Sequence, residues 1–173
     1  MAYINPSPGT TSQIVLRLDK ASASTITGDP ATSILLGVNT ITVPALQDVT
    51  VNNANDVFTW SQLDATAKKQ VATTSTNSID MNIVVDDAIF FGTDVDNDGT
   101  GTVAALGLMG LSRNKTKIAF GLKMRENASA DRFIMGQGYI TGLAPTISAD
   151  APVWVTPVTI TVDGEFLVQT TDA

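Results

Sequence analysis

KTKIAFGLKMRENASADRFIMGQGYITGLAPTISADAPVWVTPVTITVDGEFLV, residues 115–168, reads as three consecutive antiparallel strands joined by turn-forming links. In its first part Ile118, Phe120, Leu122 and Met124 share one face, while Lys117 and Lys123 share the other. That is the period of two of a half-buried strand, so the apolar face must cover a core. The polar run RENASAD reads as a loop. RFIMGQGYITGL then sets Phe133, Met135, Tyr139 and Leu143 against Ile134 and Ile140, with Gly136 and Gly138 two apart. Glycines inside a strand mark a bulge, a bend or a close backbone approach. After a second loop, APTISADAP, the segment VWVTPVTITV places Trp154, Val158, Ile160 and Val162 opposite Thr159 and Thr161, and Asp163-Gly164 suits a tight hairpin turn.

Outward from this stretch the signals weaken. GTVAALGLMGL (101–111) has Val103, Leu106 and Met109 or Gly110 at helical spacing. Gly107 and Gly110 each cost about 1 kcal/mol relative to alanine, so burial must hold this helix. IDMNIVVDDAIFFG (79–92) alternates well enough for one long strand or a strand pair, with Asp87 breaking the apolar face. SQLDATAKKQ (61–70) carries helix-terminus signals in Ser61, Asp64, Lys68 and Lys69, but little apolar content beyond Leu63. A single surface turn fits it equally well. Residues 44–78 as a whole read as a long loop or stacking arm, with 45–59 as a loop or loose hairpin. Further upstream, QIVLRLD (13–19) is a short strand with Ile14, Leu16 and Leu18 on one face, and ILLGVNTITV (34–43) has strand composition broken by Gly37 and Asn39. Residues 1–12, with Pro6 and Pro8, read as an extended arm.

Composition bounds the function. A chain of 173 residues is the size of one ordinary domain. It has no cysteine and no histidine, which removes disulfides, thiolate chemistry, the commonest general base and the commonest metal ligand. Seventeen acids against ten bases give −7, the wrong sign for a protein that binds nucleic acid by neutralising phosphates. The N-terminus lacks a basic region followed by an apolar run, so it does not read as a signal peptide. No apolar stretch is long enough to span a membrane, and synthesis in a cytoplasm is the simplest expectation.

Each feature that might carry chemistry has a plainer reading. Asp94, Asp96, Asp98 and Gly99 match the first half of a calcium loop, but its twelfth position is Ala105, where a bidentate Glu is required. A solvated turn leading into the helix is the default. Asp86 and Asp87 are adjacent, and neighbours on a strand point to opposite faces, so they do not form a catalytic pair. Ser12, Ser61 and Lys115 have no partner set for nucleophilic catalysis. No enzyme activity and no cofactor are therefore expected, and a carboxylate-based hydrolase is a distant alternative. Charge placement says more: six acids (Asp80, Asp86, Asp87, Asp94, Asp96, Asp98) precede six bases (Arg113, Lys115, Lys117, Lys123, Arg125, Arg132). They are either two solvated faces, or patches that meet between copies and set register. Head-to-tail contacts of that kind build rings or filaments.

The lysine-flanked strand, the polar loop, Gly136-Gln137-Gly138-Tyr139-Ile140-Thr141, the Ala/Pro/Ser link and the final Val/Thr strand together resemble the C-terminal part of tailed-phage major tail proteins. The resemblance covers roughly residues 80–168. It implies a mainly β fold, a β-sandwich or partial barrel of antiparallel strands with one flanking helix. It also implies rings, typically of six, stacked into a virion tail tube whose anionic bore passes DNA without binding it. The implied partners are sister subunits, with tape-measure, tail terminator and baseplate proteins. A phage decoration or fibre domain, an extracellular β-sandwich adhesin and a type VI secretion-like tube protein share the same pattern and are the alternatives.

Overall fold

The computed structural model describes residues 15–19, 40–43, 46–63, 67–92, 107–127, 130–149 and 152–172. These hold β1 (Val15–Asp19), β2 (Thr40–Val43), β3 (Leu46–Trp60), β4 (Lys69–Val84), α1 (Asp87–Phe90), α2 (Leu108–Arg113), β5 (Ile118–Asn127), β6 (Ala130–Leu143), β7 (Val155–Val162) and β8 (Leu167–Asp172). All eight strands join one antiparallel sheet in the order β2-β1-β5-β6-β7-β4-β3, with β8 added against β6. The sheet curls into an open half-barrel. Of the two arrangements expected from the sequence, the chain adopts the partial barrel.

The core lies against one face of this sheet. Leu16 and Leu18 of β1 stand opposite Leu122 and Phe120 of β5, and Ile79 and Met81 of β4 stand opposite Ile160 and Val158 of β7. All eight are buried, together with Phe90 of α1 and Leu108 and Leu111 of α2. Each such side chain contributes about 1.5–3 kcal/mol by leaving water. Met124 packs against the cluster as expected. The reverse face of β5 and β6 has a smaller buried group, Ala119, Phe133 and Met135.

The two strand glycines act through close approach. Gly136 stands opposite Phe120, and a Cβ there would lie 2.7 Å from Cζ of the Phe120 ring. At Gly138 a Cβ would lie 2.2 Å from the Thr161 carbonyl oxygen. The bulge comes later, between Ile140 and Gly142. It inserts one residue and so moves Leu143 to the Ile134 and Ile140 side, where it packs on the core, away from Phe133 and Met135.

Several expectations are corrected. The RENASAD loop is strand at each of its described residues, 125–127 and 130–131: Arg125 pairs with Asp131 and Asn127 with Ala130. Residues 46–60 and 69–78, expected within a long loop or arm, are strand, and with 79–84, expected as strand, they pair as one long hairpin. Lys69 and Gln70 lie in β4 and Ser61–Leu63 are not helical, so the 61–70 helix is absent from the described residues. The long 79–92 strand stops at Val84, because the Asp86 carboxylate caps α1 by accepting from Ile89 N at 3.2 Å. The helix read over 101–111 occurs as α2, with Leu108, Gly110 and Leu111 buried and Met109 turned outward. Trp154, expected in the core, precedes β7 and is 49 % exposed.

Asp163-Gly164 does not close a hairpin. After β7 pairs along Gly138–Leu143 of β6, β8 resumes against Ala130–Met135 of the same strand. Residues 163–166 are thus an excursion between two pieces that run one after the other along β6, secured by Asp163 N donating to Gln137 O at 2.7 Å. The arm 1–12, the Asp94–Gly99 loop and residues 101–106 lie outside the described residues.

Gly138→Ala should force β6 and β7 apart at the Thr161 carbonyl. A loss of about 1–3 kcal/mol is expected for such overpacking, read as a lower urea midpoint with an unchanged slope.

Candidate functional site

The faces of β3, β4 and β7 that look away from the core carry short polar side chains in register. Asp48, Thr50 and Asn52 of β3 stand opposite Asn82, Asp80 and Ser78 of β4, and Thr159 of β7 stands opposite Asp80 from the other side. Asp80 is the hub. Its Oδ2 accepts from Asn52 Nδ2 at 2.6 Å and from Ser78 Oγ at 3.3 Å, and its Oδ1 accepts from Thr159 Oγ1 at 2.6 Å. Asn82 Nδ2 donates to both carboxylate oxygens of Asp48, at 3.0 and 2.9 Å. Further along this face the Thr141 and Thr161 hydroxyls share a hydrogen bond of 2.8 Å. Every donor in the network is a neutral amide or hydroxyl, so it fixes the carboxylates without cancelling their charge.

The sheet also has open borders. Among the described residues β2 pairs only with β1, β3 only with β4 and β8 only with β6. β3 is 15 residues long and contains neither lysine nor proline, the residues with which edge strands usually discourage pairing. Beyond Ser78, the first β4 residue paired to β7, β4 is held by β3 alone. The hairpin therefore continues as a two-stranded ribbon for roughly 30 Å at strand rise. Residues 71–76 are exposed on both faces, and such a ribbon is marginally stable by itself. Its root is pinned by Asn77, only 3 % exposed, whose Nδ2 donates to Gly164 O at 2.9 Å. The Asn77 Oδ1 has no partner among the described residues.

The charged residues singled out by spacing are dispersed. Asp80 is in the polar network, Asp86 caps α1, and Asp87 is exposed in its first turn. Asp94, Asp96 and Asp98 lie outside the described residues. Arg113 ends α2, and Lys115 follows it at φ 52°. Lys117 pairs with Asp163 at 2.6 Å. Lys123 lies 6.0 Å from the Phe133 ring centre. Since Lys123 is opposite Phe133 and Arg132 opposite Met124, those two bases leave opposite faces of the β5–β6 ribbon. Arg125 lies in β5 opposite Asp131. The bases therefore do not gather on one face. The spacing argument missed Asp48, Asn52 and Thr159, although the Thr159/Thr161 alternation already marked their face.

One continuous antiparallel sheet, curled, open at both borders and with short helices packed on one face, is the tail-tube-like fold. The chain is similar to the tail tube of SPP1, with TM-score 0.57 and 10% identity over 91% of this chain and 77% of that one. It is also similar to the tail of an empty gene transfer agent particle solved with C6 symmetry, with TM-score 0.56 and 11% identity over 90% and 95%. A chain in the virion of a native gene transfer agent particle gives TM-score 0.54 and 12% identity over 76% and 90%. No protein-family model matches the sequence, and no curated protein matches it, so the likeness is one of fold. No helix among the described residues is long and apolar enough to cross a membrane.

Asp80→Ala should leave Asn52 and Thr159 without their acceptor and cost about 1–3 kcal/mol, measured by urea unfolding. A second expectation concerns Lys117, whose ammonium is held above its ordinary 10.5 first by the hydrogen bond to Asp163 and then by the Asp163 charge, against partial desolvation. A raised folded-state value favours the fold below 10.5, and that contribution disappears as pH climbs through the raised value. Melting temperatures of wild type and Lys117→Met should therefore differ slightly below pH 10.5 and converge above it.

Proposed function

We propose that this chain is the major subunit of a tail tube, a structural virion protein that closes into rings and stacks into a hollow conduit for DNA. The observation that carries the reading is the half-barrel whose border strands β2 and β3 are each unpaired on one side among the described residues, shared in fold with the SPP1 tail tube and the gene transfer agent tail. A curled sheet with open edges becomes a closed barrel only when each border pairs with a border of the next copy. Six copies per ring are proposed by analogy with the C6 symmetry of the gene transfer agent tail.

The polar face of β3, β4 and β7 is the proposed lining of the bore. It presents Asp48 and Asp80 among neutral hydroxyls and amides, a surface that gives phosphate few cations with which to displace counterions. Each copy carries −7, so a ring is strongly anionic. DNA then slides past a wall to which it does not adhere. Under this reading, the proteins at the ends of the tube and the one that fills it during assembly are the remaining partners.

Negative-stain microscopy of the purified chain tests the assembly: hollow rings or tubes are expected, and a monodisperse monomer at high concentration would overturn it. The bore is tested with Asp48→Lys. Tubes of this variant should retain DNA at low salt and release it as salt is raised, while wild-type tubes retain none. Equal retention by both would remove the polar face from the lumen.

A further inference from the structure

We infer that the cavity at the root of the β3–β4 ribbon is a binding site for a short aliphatic diamine. The site lies on the core side of the sheet and does not depend on how the chains assemble.

The cavity has a volume of about 440 Å³, within the range of small-molecule sites. One wall comes from the ribbon, where the core-facing positions change from apolar to polar in a single step along the strands. Val51 stands opposite Ile79, but the next two pairs on that face are Asn53 opposite Asn77 and Asn55 opposite Ser75. The other wall is apolar, built by Ile134 of β6, Phe166 and Val168 of β8. Phe166 also packs on the core, its ring 6.3 Å from that of Phe120, so the cavity begins where the core ends. Glu165, which is exposed, is the only charged residue among the described lining residues.

The innermost polar residue decides what can enter. Asn77 is 3 % exposed, and its Nδ2 is committed to Gly164 O at 2.9 Å. Its Oδ1, an acceptor only, meets no donor among the described residues. A buried acceptor left unmatched is costly, so the matching group must donate. Asn53, Asn55 and Ser75 accept or donate as a partner requires, while Glu165 accepts and adds negative charge. A cationic donor therefore satisfies the whole polar wall, whereas an anion would be repelled by the Glu165 carboxylate.

An ammonium group has three donors and no acceptor. Successive pairs on one face of the ribbon lie roughly 7 Å apart, a span that a short methylene chain bridges with an ammonium at each end. Its methylenes then lie against Ile134, Phe166 and Val168. Water would match the polar wall alone and leave the apolar wall wet; a diamine matches both.

In the experiment putrescine is titrated into the full chain by calorimetry. Butanediol is the neutral control of the same length, and acetyl-lysine amide presents the single ammonium of a protein side chain. Saturable binding of one putrescine per chain is expected, with no binding of the diol and weaker binding of the blocked lysine. Glu165→Gln should weaken putrescine about two- to fivefold. Ser75→Lys, at an exposed position, puts a tethered ammonium into the cavity and should abolish binding, with circular dichroism to verify folding. No saturable binding by wild type, or equal binding of the diol, would overturn the site. Undiminished binding to either variant would do the same, since putrescine would then be held only by the overall charge of −7. Tighter binding of the blocked lysine than of putrescine would assign the cavity to a lysine of another protein and overturn the diamine.

Discussion

An extended strand has backbone donors and acceptors on both of its sides, and a sheet that does not close on itself must end with one row unmatched. That constraint governs this chain. Eight strands curl far enough to enclose a core against one face, yet stop with β2 at one border and β3 at the other. From the two helices, Phe90, Leu108 and Leu111 pack on the apolar face of the sheet. Gly107 lets α2 start hard against the end of α1, since a Cβ there would lie 2.4 Å from the Phe91 carbonyl carbon. Ser112 Oγ fixes α2 to β6 by donating to Ile140 O at 3.2 Å. A core is thus formed within one copy, while the border strands keep one unpaired side among the described residues.

The two faces divide the work. Apolar alternation on β1, β4, β5 and β7 supplies the folding energy, and the opposite alternation on β3, β4 and β7 supplies a charged but hydrogen-bonded surface. The Asp80 network links three strands through side chains, so the acid that gives the surface its charge also stiffens the sheet that displays it. Charge-assisted hydrogen bonds are stronger than neutral ones, which suits a surface whose position must be fixed.

Legibility in the sequence followed the contrast between faces. Where large apolar residues alternate with small or polar ones, as in Ile118–Met124 and Val158–Val162, alternation gave the strands and their inward residues correctly, although Ala119 on the reverse face of β5 is buried as well. Where both faces are wet, as over Asn53–Trp60 and Lys69–Thr76, no contrast exists and the longest hairpin read as loop. The turn at Asp163-Gly164 shows a different limit. Its residues suit a tight turn, and Gly164 does take φ 102°, but local chemistry does not specify which strand the chain rejoins. α1 was hidden because IVVDDAIFF satisfies both periods, and the capping carboxylate of Asp86 decides between them. The polar network depends on residues far apart in the chain, Asn52, Asp80 and Thr159, and no spacing within one segment brings them together.

The root of the ribbon has a mechanical consequence. At Ser78 the hairpin passes from a four-strand neighbourhood of β3, β4, β7 and β6 to two strands alone, so its bending stiffness drops abruptly there, with Asn77 tying the pivot to Gly164. A lever hinged at a single buried amide tilts without deforming the body that carries it. In the conduit proposed above, small rotations at many such pivots would let the assembly follow a curved path with its wall intact.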